Sequence, residues 1–295
     1  MKGIKNPIVP GWYADPEARR YAGEYWIYVT RSHTDYAGQL NLDAFSSGDL
    51  INWTKHEGII DMAGFPWISK AVWAPTIIEQ GGNYYLIFAS NDIQRDGEKG
   101  GLEIAVSSHP GGPFRGYLGT SLIDRFVNRA QPIDAHLFRD DDGTIYLYYG
   151  GWGHCNVAKM NEAMTGFSAF ESGDRFLEIT PPGYVEAPCM LKHNRRYYFM
   201  WSEGSWTDGT YKVAYGVGDD PVGPFKSKGT LLEKQAPIAD GPGHHSCLNL
   251  DNGEWVIVYH RRIIGEKTPG KRILCIDKLK LSDDGISRVV MTDQW

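Results

Sequence analysis

One unit recurs five times along the chain, at intervals of 59, 60, 52 and 58 residues. Each copy is a short apolar segment, a polar turn and a second segment crowded with aromatics, which is how a β-hairpin reads in sequence. The copies open at Asp15, Ala74, Asp134, Glu186 and His244, and their turns carry residues able to take positive φ: Gly23, Gly82-Asn83, Asp142-Gly143, His193-Asn194 and Asn252-Gly253. After each of the first four hairpins come another apolar segment and a polar link rich in Gly or Pro; the link at residues 107–114 is echoed at 220–225. A four-stranded sheet cannot bury both faces alone, so a period near 57 with about four strands per unit predicts an all-β, five-bladed β-propeller. Its four-stranded antiparallel blades would surround a central channel. A β-sandwich would need no such period. Five units use the whole chain, and a single domain over 1–295 is expected.

Composition narrows the function. The chain has 30 Lys+Arg against 36 Asp+Glu, a formal charge of −6 and no basic cluster, so it lacks the surface that releases counterions from nucleic acid. No stretch of about 18 apolar residues could form a membrane-spanning helix. The first residues lack the apolar segment of a secretory signal, and a cytoplasmic location is the expectation. Cys155, Cys189, Cys247 and Cys275 stand far apart without a CxxC pair and read as buried, reduced thiols. Asp140-Asp141-Asp142-Gly143 lacks the spaced ligands of a calcium loop and reads as a hairpin turn.

In a propeller the innermost strand of each blade lines the channel, so the five openings should converge at one mouth. Three carboxylates, Asp15, Asp134 and Glu186, would then meet the imidazole of His244 in one pocket. Buried acids are costly and ask for a functional reason. Opposed carboxyls, one protonated and one ionised, are what glycosidic cleavage requires. Trp12, Trp73 and Trp152 are candidates for an aromatic platform under the sugar, and His33 for the rim of the site.

The segments Asn6-Pro-Ile-Val-Pro-Gly-Trp-Tyr-Ala-Asp15-Pro, Val72-Trp-Ala-Pro75, Ile133-Asp134-Ala, Val185-Glu186-Ala-Pro188 and Gly241-Pro-Gly-His-His-Ser246 resemble glycoside hydrolase family 43. The likeness runs in order from residue 6 to about 285. It implies a five-bladed propeller that hydrolyses arabinose-, xylose- or galactose-containing glycans with inversion and without a cofactor for the chemistry. Carried over, Asp15 would be the general base, Glu186 the general acid, and Asp134 the carboxylate that orients Glu186 and holds its pKa up. His244 would correspond to a histidine that helps hold a calcium ion or a water cluster in the channel, with His245 as the alternative if the register slips by one. A core histidine without metal is the other reading. Arg272 stands where relatives place a sugar-contacting arginine. The expected activity is release of a terminal α-L-arabinofuranose from arabinose- or xylose-containing oligosaccharides, with β-xylosidase and galactofuranosidase as alternatives. A non-catalytic carbohydrate-binding propeller would need the aromatics but not three acids.

Overall fold

The segment Ile145-Tyr-Leu-Tyr-Tyr149 is apolar on both of its faces, and both are used. Ile145, Leu147 and Tyr149 pack into one buried cluster, while Tyr146 and Tyr148 pack into another. Alternation of this kind leaves no solvated face, so each sheet needs a neighbour on either side. The computed structural model describes residues 3–32, 35–282 and 285–294, and it resolves this demand as a ring.

Blade 1 is β1 (Tyr13–Tyr21), β2 (Glu24–Arg31), β3 (Leu42–Ser47) and β4 (Thr54–His56); blade 2 is β5 (Trp73–Gln80), β6 (Asn83–Ser90), β7 (Gly101–Ser107) and β8 (Arg115–Gly116). Blade 3 has β9 (His136–Arg139), β10 (Ile145–Tyr149) and β11 (Asn156–Met160), with its outer edge divided between β12 (Phe167–Ser168) and β13 (Phe176–Glu178). Blade 4 is β14 (Glu186–His193), β15 (Arg196–Glu203), β16 (Lys212–Gly218) and β17 (Lys226–Leu232). Blade 5 pairs β18 (Asp240–Asn249), β19 (Trp255–Arg262) and β20 (Ile273–Leu279), and a small hairpin, β21 (Leu281–Ser282) with β22 (Gly285–Ile286), follows it. All pairings within the blades are antiparallel.

The protein is therefore the five-bladed propeller its repeat predicts, with two departures from four-stranded blades: the divided outer edge of blade 3 and the fifth blade, which has three strands of its own. The edge of β20 is covered by the first residues of the chain: Ile8 N–H donates to Leu274 O, and Ile276 N–H donates to the Asn6 side chain. A propeller closed this way exposes no long sheet edge at the seam.

Five apolar clusters fill the wedges between successive blades. Blades 1 and 2 share Tyr28, Leu42, Leu86 and Phe88; blades 2 and 3 share Ile87, Ile104, Leu137 and Leu147. Tyr148, Phe199 and Trp201 sit between blades 3 and 4, Met200, Val213, Ile257 and Tyr259 between 4 and 5, and Ile27, Val29, Val256 and Val258 between 5 and 1. The first-hairpin turns of blades 1, 2 and 4 are two-residue loops with positive φ at both positions: Ala22-Gly23, Gly81-Gly82 and Asn194-Arg195. Blades 2 and 4 thus turn one residue away from the expected Gly82-Asn83 and His193-Asn194.

Hydrogen bonds from one innermost strand to the next lock the ring. Leu137 N–H donates to Thr76 Oγ1 (2.9 Å) and Ala18 N–H to Ser246 Oγ (2.9 Å), each joining adjacent blades. Inside the channel, the Arg19 guanidinium donates to Ile77 O (3.1 Å) and Leu137 O (2.6 Å) and pairs with Glu17 (2.6 Å). His136 links the same Glu17, 3.3 Å away, to Met190 O on blade 4. A buried ionic plug thus ties four blades together. Thr76 is fully buried, so Thr76→Val should leave Leu137 N–H without a partner and destabilise the fold by about 1–3 kcal/mol. Urea denaturation measures this, and an unchanged midpoint would show that the inter-blade bond contributes nothing.

Candidate active site

At the mouth of the channel, each innermost strand has a residue in the left-handed region at or close to its start: Asp15 (φ 53), Ala74 (φ 48), Asp134 (φ 55), Ala187 (φ 59) and His244 (φ 36). None is glycine, so each conformation carries strain of order 1–2 kcal/mol and must be held by its surroundings. What holds them is the preceding blade. Ala74 N–H donates to Thr30 Oγ1 (2.8 Å), His244 N–H to Ser202 Oγ (3.0 Å), and Asp15 N–H to His260 Nδ1 (3.2 Å). Thr30, Ser202 and His260 pair with Ala14, Glu186 and Gly243, and so occupy matching positions on the second strands. Ala187 N–H is bound instead by the Asp134 carboxylate.

This register corrects one expectation. The residue of blade 4 that matches Asp15 and Asp134 is Ala187; Glu186 lies one position earlier and matches Trp73 of blade 2. The kink lets both positions reach the mouth. A cavity of about 250 Å³ is lined by Asp15, Trp73, Ile133, Asp134, Glu186 and His244, so every blade contributes to it. Tyr36, Gln39, Asp92, Gln131, Trp152, Trp206 and Arg272 complete the wall.

The three carboxyls differ in their partners. Asp15 Oδ1 lies 3.1 Å from Arg272 Nη1, 3.4 Å from His244 Nδ1 and 3.4 Å from His260 Nδ1. Burial acts to raise the pKa of Asp15, but the Arg272 charge, with His244 and His260, outweighs it and holds the carboxyl far below its ordinary range. Asp134 is pushed well above that range, first by burial and then by the charges of Glu186 and Asp15. Glu186 is also raised by burial and by Asp15, against the opposing effect of a hydrogen bond from Tyr211 Oη to Oε1 (2.8 Å). An ionised Asp15 therefore faces an Asp134–Glu186 pair that retains a proton. Burial lowers His260 to about 4 and also moves His244 down, which keeps both rings neutral beside Arg272.

Arg272 is fixed from three sides: Nη1 donates to Asp15, Nε donates to Ser32 Oγ (3.0 Å), and the guanidinium lies 5.2 Å from the centre of the Trp206 ring. Trp73 donates its indole N–H to Gln39 and receives the edge of Tyr36 at 4.7 Å. Trp152, half exposed, stands at the rim against Phe126. Trp12 is not among the lining residues; it is exposed, with Lys271 5.9 Å from its ring centre, and so falls outside the platform expected of it. His33 lies outside the described residues.

Calcium takes six to eight oxygen ligands. Around His244 the side-chain oxygens in contact are those of Asp15 and Asp134, the former already held by Arg272, and the channel carries the Arg19 cation. Among the described residues, this donor set does not fit a calcium ion held at His244, the role the resemblance implies for it. His244 instead bridges the two aspartates, its Nδ1 3.5 Å from Asp134 Oδ2.

Tyr211, His260, Trp206 and Gln39 were not foreseen. Thr30, Ser202 and His260 do share a signal, a polar residue at the same place near the end of three otherwise apolar second strands. Tyr211 lies in the connection just before β16, where the repeat fixes no side chain, and it depends on Gly243, where a Cβ would come within 2.2 Å of the Tyr211 ring.

A pocket in which an ionised carboxylate confronts a proton-bearing carboxyl pair, set at the mouth of a closed propeller, is that of an O-glycoside hydrolase of the acid–base type. Residues 4–287 match the model of "Glycosyl hydrolases family 43", and the chain belongs to that family. It is 41% identical over 291 residues to a β-D-galactofuranosidase of Aspergillus niger, covering 95% of this chain and 83% of that one. A β-xylosidase of Xylanibacter ruminicola is 27% identical over 96% of this chain and 98% of its own. Among solved structures, an α-L-arabinofuranosidase from Clostridium thermocellum superposes with a TM-score of 0.78 at 29% identity, over 95% of this chain and 94% of that one.

Two pH shifts should follow. Removing the Tyr211 hydroxyl takes away a bond that favours ionised Glu186, so its pKa should rise. The alkaline limb of kcat/KM in Tyr211→Phe should then move up by about half to one pH unit, the equivalent of one hydrogen bond. Arg272→Met removes the cation that keeps Asp15 ionised, so the acid limb should also move to higher pH. Limbs that stay in place in both variants would separate these groups from the titration that governs the rate.

Proposed function

We propose that this chain removes single terminal furanose units from the non-reducing ends of glycans, with β-D-galactofuranose as the preferred sugar and α-L-arabinofuranose accepted by the same pocket. The observation that carries the reading is the size and wall of the cavity. Drug-sized ligands occupy pockets of about 300–1,000 Å³. At about 250 Å³ this one suits one sugar ring and not a chain, which favours exo action.

The two furanosides share their ring stereochemistry and differ in the exocyclic diol of the hexose. Asp92 and Gln131 line the wall and are bonded to each other at 3.0 Å, offering polar partners for the one additional hydroxyl of that diol. The 41% identity to a galactofuranosidase supports the hexofuranose over the arabinofuranose that sequence reasoning had placed first. In this reading Asp15 takes a proton from water as the oxygen attacks the anomeric carbon. Glu186 delivers its proton to the leaving oxygen from the opposite side, and the product inverts. Asp134, repelling charge on Glu186, keeps that proton in place between turnovers. A binding-only propeller would have no use for three buried acids, whose desolvation is costly.

A panel of 4-nitrophenyl β-D-galactofuranoside, α-L-arabinofuranoside and β-D-xylopyranoside tests the sugar. The galactofuranoside should give the highest kcat/KM and the xylopyranoside a value at least about ten-fold lower, one missing set of pocket contacts being worth 1–3 kcal/mol. A faster xylopyranoside would overturn the furanose reading. The roles are tested separately: Asp15→Ala should lose about 10²–10⁴-fold on every substrate, whereas Glu186→Ala should lose that much on unactivated glycosides and much less on nitrophenyl ones, whose leaving group needs no proton. Equal losses on both kinds of substrate would exclude Glu186 as the acid.

A further inference from the structure

Below the sugar pocket, between blades 4 and 5, four soft donors converge. Cys189 on β14 and His245 and Cys247 on β18 bring their ligand atoms within 4.8 Å of one another. Met200 on β15 closes the group: its Sδ lies 3.4 Å from His245 Nε2 and 3.9 Å from Cys247 Sγ. Cys189, His245 and Met200 are buried, and Cys247 is partly open. His245 Nδ1 is buried without a hydrogen-bond partner, an unusual state for an imidazole nitrogen.

We infer that Cys189, Cys247, His245 and Met200 form a binding site for a single soft, thiophilic cation of the copper(I) class. Two thiols, an imidazole and a thioether are a donor set that favours Cu(I) over hard cations, and a thioether is not among the ligands that hold zinc in proteins. With metal–sulfur bonds near 2.3 Å, neighbouring donors in a three- or four-coordinate site stand about 4 Å apart, so these side chains need to close in by less than about 1 Å. On binding, each thiol releases its proton to solvent and the sulfur lone pair is donated to the metal, with no change of oxidation state. The resulting copper dithiolate carries one net negative charge, and the Arg19 guanidinium and His136 lie within electrostatic reach of Cys189 to compensate it. Cys247 is the route of entry, being the one member of the set that is not fully buried.

The test is anaerobic titration of the full chain with Cu(I) against the chromogenic chelator bicinchoninate. Wild type should withdraw one equivalent from the chelator, the Cys155→Ser/Cys275→Ser variant should do the same, and Cys189→Ser/Cys247→Ser should withdraw none. Equal uptake by wild type and Cys189→Ser/Cys247→Ser, or uptake lost in Cys155→Ser/Cys275→Ser, overturns the assignment. Hydrolysis of a nitrophenyl glycoside by the metal-free variants reports that they fold. Should the Cys189→Ser/Cys247→Ser chain not fold, copper-edge X-ray absorption of loaded wild type decides: a first shell of sulfur with nitrogen is expected, and a shell of nitrogen and oxygen alone overturns the site.

Discussion

Each innermost strand of this ring is bent near its start into a conformation it would not choose alone, and in four of the five blades a polar group of the preceding blade holds it there. The left-handed Ala74, His244 and Asp15 give their N–H groups to Thr30, Ser202 and His260, and Ala187 gives its own to the Asp134 carboxylate. The strain is affordable only in a closed ring, because every blade restrains the next. The same kink brings both the bent residue and the one before it to the channel mouth, which is why the cavity draws on all five blades. The active site is thus built from the stitching that holds the propeller together.

Two aspartates at the same repeat position have their pKa values driven in opposite directions. Asp15 has the Arg272 guanidinium at 3.1 Å, and Asp134 has the neighbouring Glu186 carboxyl, with which it holds one proton. Burial works in the same direction on both, so the divergence comes entirely from what stands beside each. His244, in contact with both, has its pKa moved down by its own burial, so the fixed positive charge that sets them apart is that of Arg272. Repetition supplies the positions, and the residues that break the repeat supply the chemistry.

Most of the architecture was legible because a two-residue alternation and a period near 57 leave few ways to bury both faces of each sheet. The convergence of Asp15, Asp134, Glu186 and His244 followed from that topology alone. What was not legible depends on single-residue register. Glu186 seemed equivalent to Asp15 because the spacing tolerates an error of one, and only the pairing of Glu186 with Ser202 separates it from Ala187. Trp12 was placed by its closeness in sequence to Asp15, yet alternation and the turn before β1 leave it on the outside. Tyr211 and Trp206 come from the connection between β15 and β16, where no periodicity constrains a side chain.

The bond between Asp15 and Arg272 spans 257 residues, and β20 receives the segment around Asn6 and Ile8 as its outer neighbour. During synthesis the opening segment must therefore wait, unpaired, until the last blade has left the ribosome. No product that stops short of β20 can bring the Arg272 guanidinium to Asp15, however well its early blades fold. The electrostatic setting of that carboxylate consequently arrives all at once, when the fifth blade closes the ring.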